Sequence, residues 1–424
     1  MEKEQKPAPP LRLLEVRDAR AACVRPSGAE GSGKENGRMK AIVNGIILTP
    51  RGEIRGKALL YDRKIVGVAD PGDAARRADE VLDAGGLYVS PGLIDVHIHG
   101  YGGADVSDGD PEGVRRMAAC LPANGVTAFL PTTLTVAWEK LEAICRDMRT
   151  LERESAQPDF PGAQILGVHL EGPFINPAHK GAQNPDYILP PDAERILPLA
   201  DIIRIITLAP EMPGAEACIR TLKERTDIAV SIGHTGASFD QALAAAAWGA
   251  TRVTHLFNAM TGLHHRAPGV VGAALVSDMY TELIADTFHV DRGLYPLLIR
   301  AKGRRLVLIT DALRSAGMPD GEYENGGQKF ILKGIECRLT DGTIAGSVLK
   351  MNQAVRNLRD YGGIPLHEAV CAASLNAARS AGLDRHKGSL ARGRDADIVL
   401  MDGDCRVYRT IVRGECKFTA PGLS

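Results

Sequence analysis

At 424 residues, 44% hydrophobic and 24% charged, the chain is long enough for one large barrel plus a small accessory domain, with ordinary globular composition. A formal net charge of −1 excludes the overall basic field of a nucleic-acid or anionic-membrane binder, so any phosphate recognition must come from local groups. No apolar run approaches the roughly 20 residues of a membrane helix, and the eight cysteines form no CxxC pair, which points away from a disulfide framework and towards a reducing compartment, the cytoplasm.

Residues 1–38 are polar and rich in Pro, Gly and charge, and are expected to form a disordered extension, with Met39 an alternative start. The first 25 residues lack the apolar centre of a secretory signal. From Lys40, AIVNGIILTP and KALLYDRKIVGVA alternate and turn like short β-strands, and ADIVLMDGDCRVYRTIVRGECK near the other end does the same. Residues 39–90 and 385–424 are therefore expected to build one small β-sandwich domain from both chain ends. Between them, over 91–384, eight short aliphatic runs at 93–99, 126–132, 165–171, 202–208, 228–234, 252–257, 282–289 and 305–311 alternate with helical patterns at 111–123, 137–153, 215–225, 239–248 and 292–302. Continuous apolar strands suit a sheet buried on both faces. The alternation predicts an α/β fold, a closed (β/α)8 TIM barrel. The rival is a doubly wound open sheet, but no GxGxxG follows the first strand.

Metal-competent residues sit at the carboxyl ends of these runs: His97 and His99 on the first, His169 and Glu171 on the third, His234, His255 and His289 on the fifth to seventh, and Asp311 on the eighth. Barrel strand ends converge on one face, where the active site is expected, and strand alternation turns His97 and His99 to the same side. A single strand histidine is usually a hydrogen-bonded core residue. Six of eleven histidines on predicted strands, together with two acids, are poorly explained by independent core roles. His169 is assigned a supporting or structural role, and His367 and His386 surface or packing roles. Imidazole and carboxylate ligands suit a divalent first-row ion, with Zn²⁺ favoured and Fe²⁺ or Mn²⁺ as alternatives. Asp311 is placed to take a proton from water and return it to a leaving amine.

The HxH on the first strand, the histidines ending the fifth and sixth, and the aspartate ending the eighth resemble the amidohydrolase superfamily. VHLEGPFINPAHKGAQNP (168–185), SIGHTGASFDQA (231–242), VTHLFNAMTGLHHRAPG (253–269) and LITDALRSAG (308–317) are similar to its N-acetylglucosamine-6-phosphate deacetylase family, over roughly residues 40 to 415. The resemblance implies hydrolysis of the acetamide of N-acetyl-D-glucosamine 6-phosphate, a phosphorylated amino-sugar. It also implies that Glu171, His234 and His255 bind a catalytic metal and that His97 and His99 supply a second position, giving one or two ions per subunit. Asp311 would then be the general base and acid, and His289 would polarise the acetamide carbonyl. Substrate contacts would come from Ala182, Gln183, Asn258, Ala259, Arg266 and His289, and from Ile344, Ala345 and Gly346 in TIAGS. Many members carry histidine where this chain has Gln183, which alters that contact. The resemblance further implies a homodimer in which Arg266 reaches the neighbouring subunit's site; His264 and His265 beside it stand outside the family pattern.

Overall fold

Eight parallel strands surround the centre of the computed structural model, which describes residues 12–14 and 38–421. They are β1 (Leu93–Ile98), β2 (Val126–Thr133), β3 (Val168–Glu171), β4 (Ile203–Leu208), β5 (Ala229–Ile232), β6 (Arg252–Val253), β7 (Tyr280–Ile284) and β8 (Leu306–Ile309). Each pairs in parallel with the next. Every residue of β1, β2, β3 and β8 is buried, because helices cover the outside and side chains fill the inside; hence the aliphatic runs without a polar face. At the carboxyl end β8 closes onto β1: Asp311 N donates to His97 O and His99 N to Ala312 O, each at 2.9 Å. The expected TIM barrel is observed.

The third run is broken. Gln164–Ile165 pairs with the start of β2 and β3 with its end, and between them Gly167 adopts φ 118°. A Cβ there would lie 2.5 Å from the Arg204 side chain and 2.7 Å from Ile202 O, so only glycine allows this step. The helices follow their patterns. Trp138–Ser155 buries Leu141, Ile144, Cys145, Met148 and Leu151 along one stripe, and Phe239–Trp248 opens on a capping box of Ser238 and Gln241.

Two further sheets lie beside the barrel, one with strands from both chain ends and one with strands from the N-terminal part alone. One runs, in order, Glu415–Thr419, Val407–Val412, Ile398–Met401, Tyr88–Pro91, Ile46–Thr49 and Gly52–Ile54; the other contains Glu80–Asp83, Lys40–Val43, Ala58–Tyr61 and Ile65–Ala69. Ile42, Leu59, Ile47, Val89, Ile398 and Leu400 pack into one apolar cluster, joining distant segments in the manner of a sandwich.

One expectation needs correction. The sixth and seventh strands are shorter than the runs at 252–257 and 282–289: β6 ends at Val253, and β7 spans Tyr280–Ile284. Beyond them the apolar residues pack into loops at the barrel mouth, with Leu256 and Ala285 buried and left-handed backbone at Phe257 and Thr287. The expected disordered extension over 1–38 lies largely outside the described residues, but Arg12–Leu14 is a strand antiparallel to Glu80–Asp83. A three-stranded antiparallel unit, Gly321–Asn325, Gln328–Lys333 and Glu336–Leu339, was not expected. Its signal is present in the sequence: alternating residues interrupted by Gly326-Gly327 and by Gly334-Ile335.

Candidate active site

The strand ends deliver their polar groups to one point. Glu171 Oε1 stands 3.0 Å from His255 Nε2, 3.3 Å from His234 Nε2 and 3.2 Å from His97 Nε2, while its Oε2 stands 3.3 Å from His99 Nε2. Asp311 Oδ1 lies 3.1 Å from His99 Nε2 and 3.5 Å from His97 Nε2. All six side chains are buried. Three of these residues have left-handed backbone, with φ of 49° at His234, 26° at His255 and 52° at Asp311. That conformation is uncommon for non-glycine residues and concentrates at functional sites.

Three imidazoles are held by the other ring nitrogen. His97 Nδ1 pairs with Glu282 Oε2 at 3.0 Å, His99 Nδ1 with Thr132 O at 3.2 Å, and His234 Nδ1 with His179 O at 3.0 Å. An Nδ1–H donated outward leaves the Nε2 lone pair facing inward, as a metal ligand requires. Glu282 is anchored in turn by the fully buried Arg252 guanidinium. His169 lies deeper, with Nδ1 3.0 Å from Val96 O and Nε2 2.8 Å from Thr207 Oγ1. Burial, and then the charge of His97, push its pKa down to about 3, so it is a neutral prop beneath the site, as expected.

The donor set fits metal. His234 and His255 face each other through Nε2 atoms 3.1 Å apart, and His97 and His99 through Nε2 atoms 3.3 Å apart. Two nitrogens on one tetrahedral Zn²⁺, each at about 2.0–2.1 Å, would stand about 3.4 Å apart. At this spacing each nitrogen pair can be bridged by a ring proton or by a cation, and the spacing is that of two ligands on one ion. Glu171 joins both groups, His97–His99 and His234–His255. Burial alone would raise the pKa of Glu171, but His97 and His234 hold it well below the carboxylate range. Asp311 is likewise held down against its burial by His97 and His99.

A cavity of about 360 Å³ opens over these groups. Ala182, Gln183, Asn258, Ala259, His289, Ile344, Ala345 and Gly346 all line it. Gln183 is buried; it donates to Glu171 Oε2 at 2.6 Å and accepts from Thr135 N at 2.6 Å, so it braces the central carboxylate. Gly346 lets its loop pass close: a Cβ there would lie 2.7 Å from Leu313 and 2.9 Å from Asp311 O. Arg266 is not among the cavity's lining residues. It is exposed, with Nη1 2.7 Å from His265 Nε2. Among the described residues lining the cavity there is no lysine or arginine. His386 is exposed and His367 half-buried, away from the cavity.

Sequence reasoning missed the cavity's outer wall, Asn325, Gln328, Phe330 and Leu339 of the three-stranded unit, and it missed Asp286. Asp286 Oδ2 pairs with His289 Nδ1 at 2.6 Å. Among the described residues His289 Nε2 is buried without a hydrogen-bond partner. Burial opposes charge on this ring, yet Asp286 and more distantly Asp311 raise its pKa above the ordinary histidine value. With Nδ1–H given to Asp286, Nε2 carries a hydrogen only in the protonated ring.

Residues 88–419 match the amidohydrolase family. The chain belongs to the amidohydrolase family. Within it, the chain is 38% identical over 385 residues to the N-acetylglucosamine-6-phosphate deacetylase of Bacillus subtilis (strain 168), covering 89% of this chain and 97% of the relative. It is 39% identical over 336 residues to the N-acetylgalactosamine-6-phosphate deacetylase of Escherichia coli O157:H7, covering 77% and 86%. A solved structure of a Mycobacterium smegmatis N-acetyl-D-glucosamine-6-phosphate deacetylase variant, in complex with N-acetyl-D-glucosamine 6-phosphate, superposes with a TM-score of 0.80 at 32% identity, covering 90% of this chain and 100% of that one. The clustered histidines and carboxylate thus have the setting of this family, whose members are metal-dependent hydrolases.

Proposed function

We propose that this amidohydrolase removes the acetyl group from N-acetyl-D-glucosamine 6-phosphate, giving D-glucosamine 6-phosphate and acetate, in amino-sugar catabolism. The observation that carries this reading is Glu171 set between two histidine pairs with Asp311 beside them, under a cavity of about 360 Å³. Its setting in a chain similar to named deacetylases supports the substrate.

Glu171, His234 and His255 would hold the catalytic cation, and His97 and His99, sharing Glu171, a second. Zn²⁺ is favoured by the imidazole and carboxylate donors, with Fe²⁺ or Mn²⁺ as alternatives. When bound, such an ion supplies Lewis acidity, polarising a carbonyl and lowering the pKa of water towards about 7. Asp311, ionised at neutral pH, accepts the proton of the attacking water and passes it to the departing nitrogen. His289 Nε2–H donates to the acetamide oxygen as negative charge develops there. Ala182, Gln183, Asn258, Ala259, Ile344, Ala345 and Gly346 shape the sugar's seat. Among the described residues lining the cavity there is no lysine or arginine, and the family resemblance implies that Arg266 of a second subunit in a homodimer meets the phosphate. The cytoplasm is the proposed location, since all seven cysteines among the described residues are free.

The test is acetate release from N-acetylglucosamine 6-phosphate, from its unphosphorylated sugar and from N-acetylgalactosamine 6-phosphate, before and after chelation, with single metals then restored. Release that survives complete metal removal, or shows no preference for the phosphorylated glucosamine, overturns the reading. Preference for the galactosamine ester would favour the second named substrate class instead.

Three variants probe the separate roles of these side chains. His289→Ala is expected to lower kcat by about 10²–10³, the loss typical of one oxyanion donor. Asp286→Asn removes the charge that keeps His289 protonated, so the alkaline decline in kcat/KM should move to lower pH; an unmoved profile would dissociate Asp286 from the step. Arg266→Ala is expected to raise KM about 10–100-fold with kcat nearly kept, as for loss of a hydrogen bond to a charged group at about 1.5–3 kcal/mol. Mixing that variant with an inactive Asp311→Asn chain should restore some low-KM sites if the arginine crosses between subunits.

A further inference from the structure

On the face of the barrel opposite the catalytic cavity lies a second and larger one, of about 680 Å³. It sits at the root of β8, where Gly303 and Leu306 meet the helical segments Leu366–Ala372 and Leu375–Ser380 and the turn Thr49–Arg51 of the small domain. Four guanidinium groups line it, those of Arg51, Arg304, Arg379 and Arg394, against a single carboxylate, that of Glu368. Arg379 has a loose ionic partner in Asp384 at 3.6 Å, and Arg394 donates to Lys387 O at 2.8 Å. Among the described residues, the side chains of Arg51 and Arg304 have no ion-pair or hydrogen-bond partner. Four like charges around one hollow repel each other, and only those of Arg379 and Arg394 are held by neighbouring groups.

The remaining wall carries the apolar side chains of Ile299, Leu306, Leu358, Ile364 and Leu390 together with polar Thr49, Asn376 and Ser389. A hollow of a few hundred cubic ångströms, mostly apolar with a few convergent polar groups, has the form of a small-molecule site, and clustered guanidiniums select phosphate or carboxylate oxyanions. We propose that this cavity binds an organic phosphate whose ring body lies on the apolar wall and whose phosphate meets Arg51 and Arg304. Being nearly twice the volume of the catalytic cavity, it favours a ligand of nucleotide size over a hexose phosphate. Asn376 Nδ2, on the cavity wall, donates to Leu306 O at 2.8 Å at the start of β8.

The probe is adenosine monophosphate, titrated calorimetrically into the metal-loaded full chain in the presence of saturating glucosamine 6-phosphate to fill the catalytic cavity. One saturable site per chain is expected. The charge reversals Arg51→Glu and Arg304→Glu, both on exposed side chains, should together weaken binding at least tenfold while leaving the circular dichroism spectrum and deacetylase turnover without ligand unchanged. Binding that vanishes once the sugar phosphate is added, that is unaffected by the double reversal, or that is absent altogether would overturn the proposal. Each of these outcomes leaves the proposed deacetylase activity standing, because that activity is read separately from acetate release.

Discussion

Asp311→Asn is expected to lower the rate of acetate release by at least about 10³-fold, towards the upper end of the 10²–10⁴ that general acid–base catalysis contributes. The size follows from the double use proposed for it: the same carboxylate would take the proton from water and return it to nitrogen, so an amide would block both transfers. The geometry explains why this acid is suited to the task. Its Oδ1 lies 3.1 Å from His99 Nε2, and the neighbouring imidazoles keep it ionised despite its burial. Metal content must be measured alongside, because Asp311 also faces the histidine pair. A variant with full metal and a lost rate supports the proton role. A variant with full metal and full rate removes Asp311 from the mechanism.

Glu171→Ala is expected to empty both cation positions rather than one. Its two oxygens face different histidine pairs, Oε1 towards His234, His255 and His97 and Oε2 towards His99. Removing even an outer hydrogen-bonding partner of a ligand costs about 10–100-fold in metal affinity, and losing the shared ligand itself should cost more. Elemental analysis after gel filtration should therefore find metal greatly reduced, with activity falling in parallel. Gln183→Leu gives the graded comparison. It leaves the carboxylate in place but removes the donor that braces Oε2, and should weaken metal retention without abolishing it. Undiminished metal in Glu171→Ala would mean that the histidines alone suffice and that the carboxylate has another duty.

Much of this arrangement was legible in the chain before its fold was known, for a physical reason. Strands sealed on both faces must be aliphatic, so the few polar residues at their ends stand out, and His97, His99, Glu171, His234, His255 and Asp311 did. What was not legible fell into two kinds. Glu282, Arg252 and Asp286 act through partners far away in sequence or buried inside a loop: Arg252 reads as an ordinary strand-edge cation, yet it lies buried against Glu282, beneath His97. The second kind concerned boundaries. The runs after β6 and β7 remain apolar because they pack into the mouth of the barrel, so Leu256 and Ala285 look like strand residues while belonging to loops. The three-stranded wall carries turn glycines but falls outside the eightfold alternation of strand and helix.

The left-handed backbone at His234, His255 and Asp311 has an evolutionary consequence. Left-handed geometry costs an L-residue about 1–2 kcal/mol, and asparagine or glycine less. Selection for thermal endurance alone would drift these three sites towards those residues, whereas selection for turnover holds the costlier ones in place. Laboratory libraries screened only for heat resistance should accordingly collect dead enzymes mutated at these very positions.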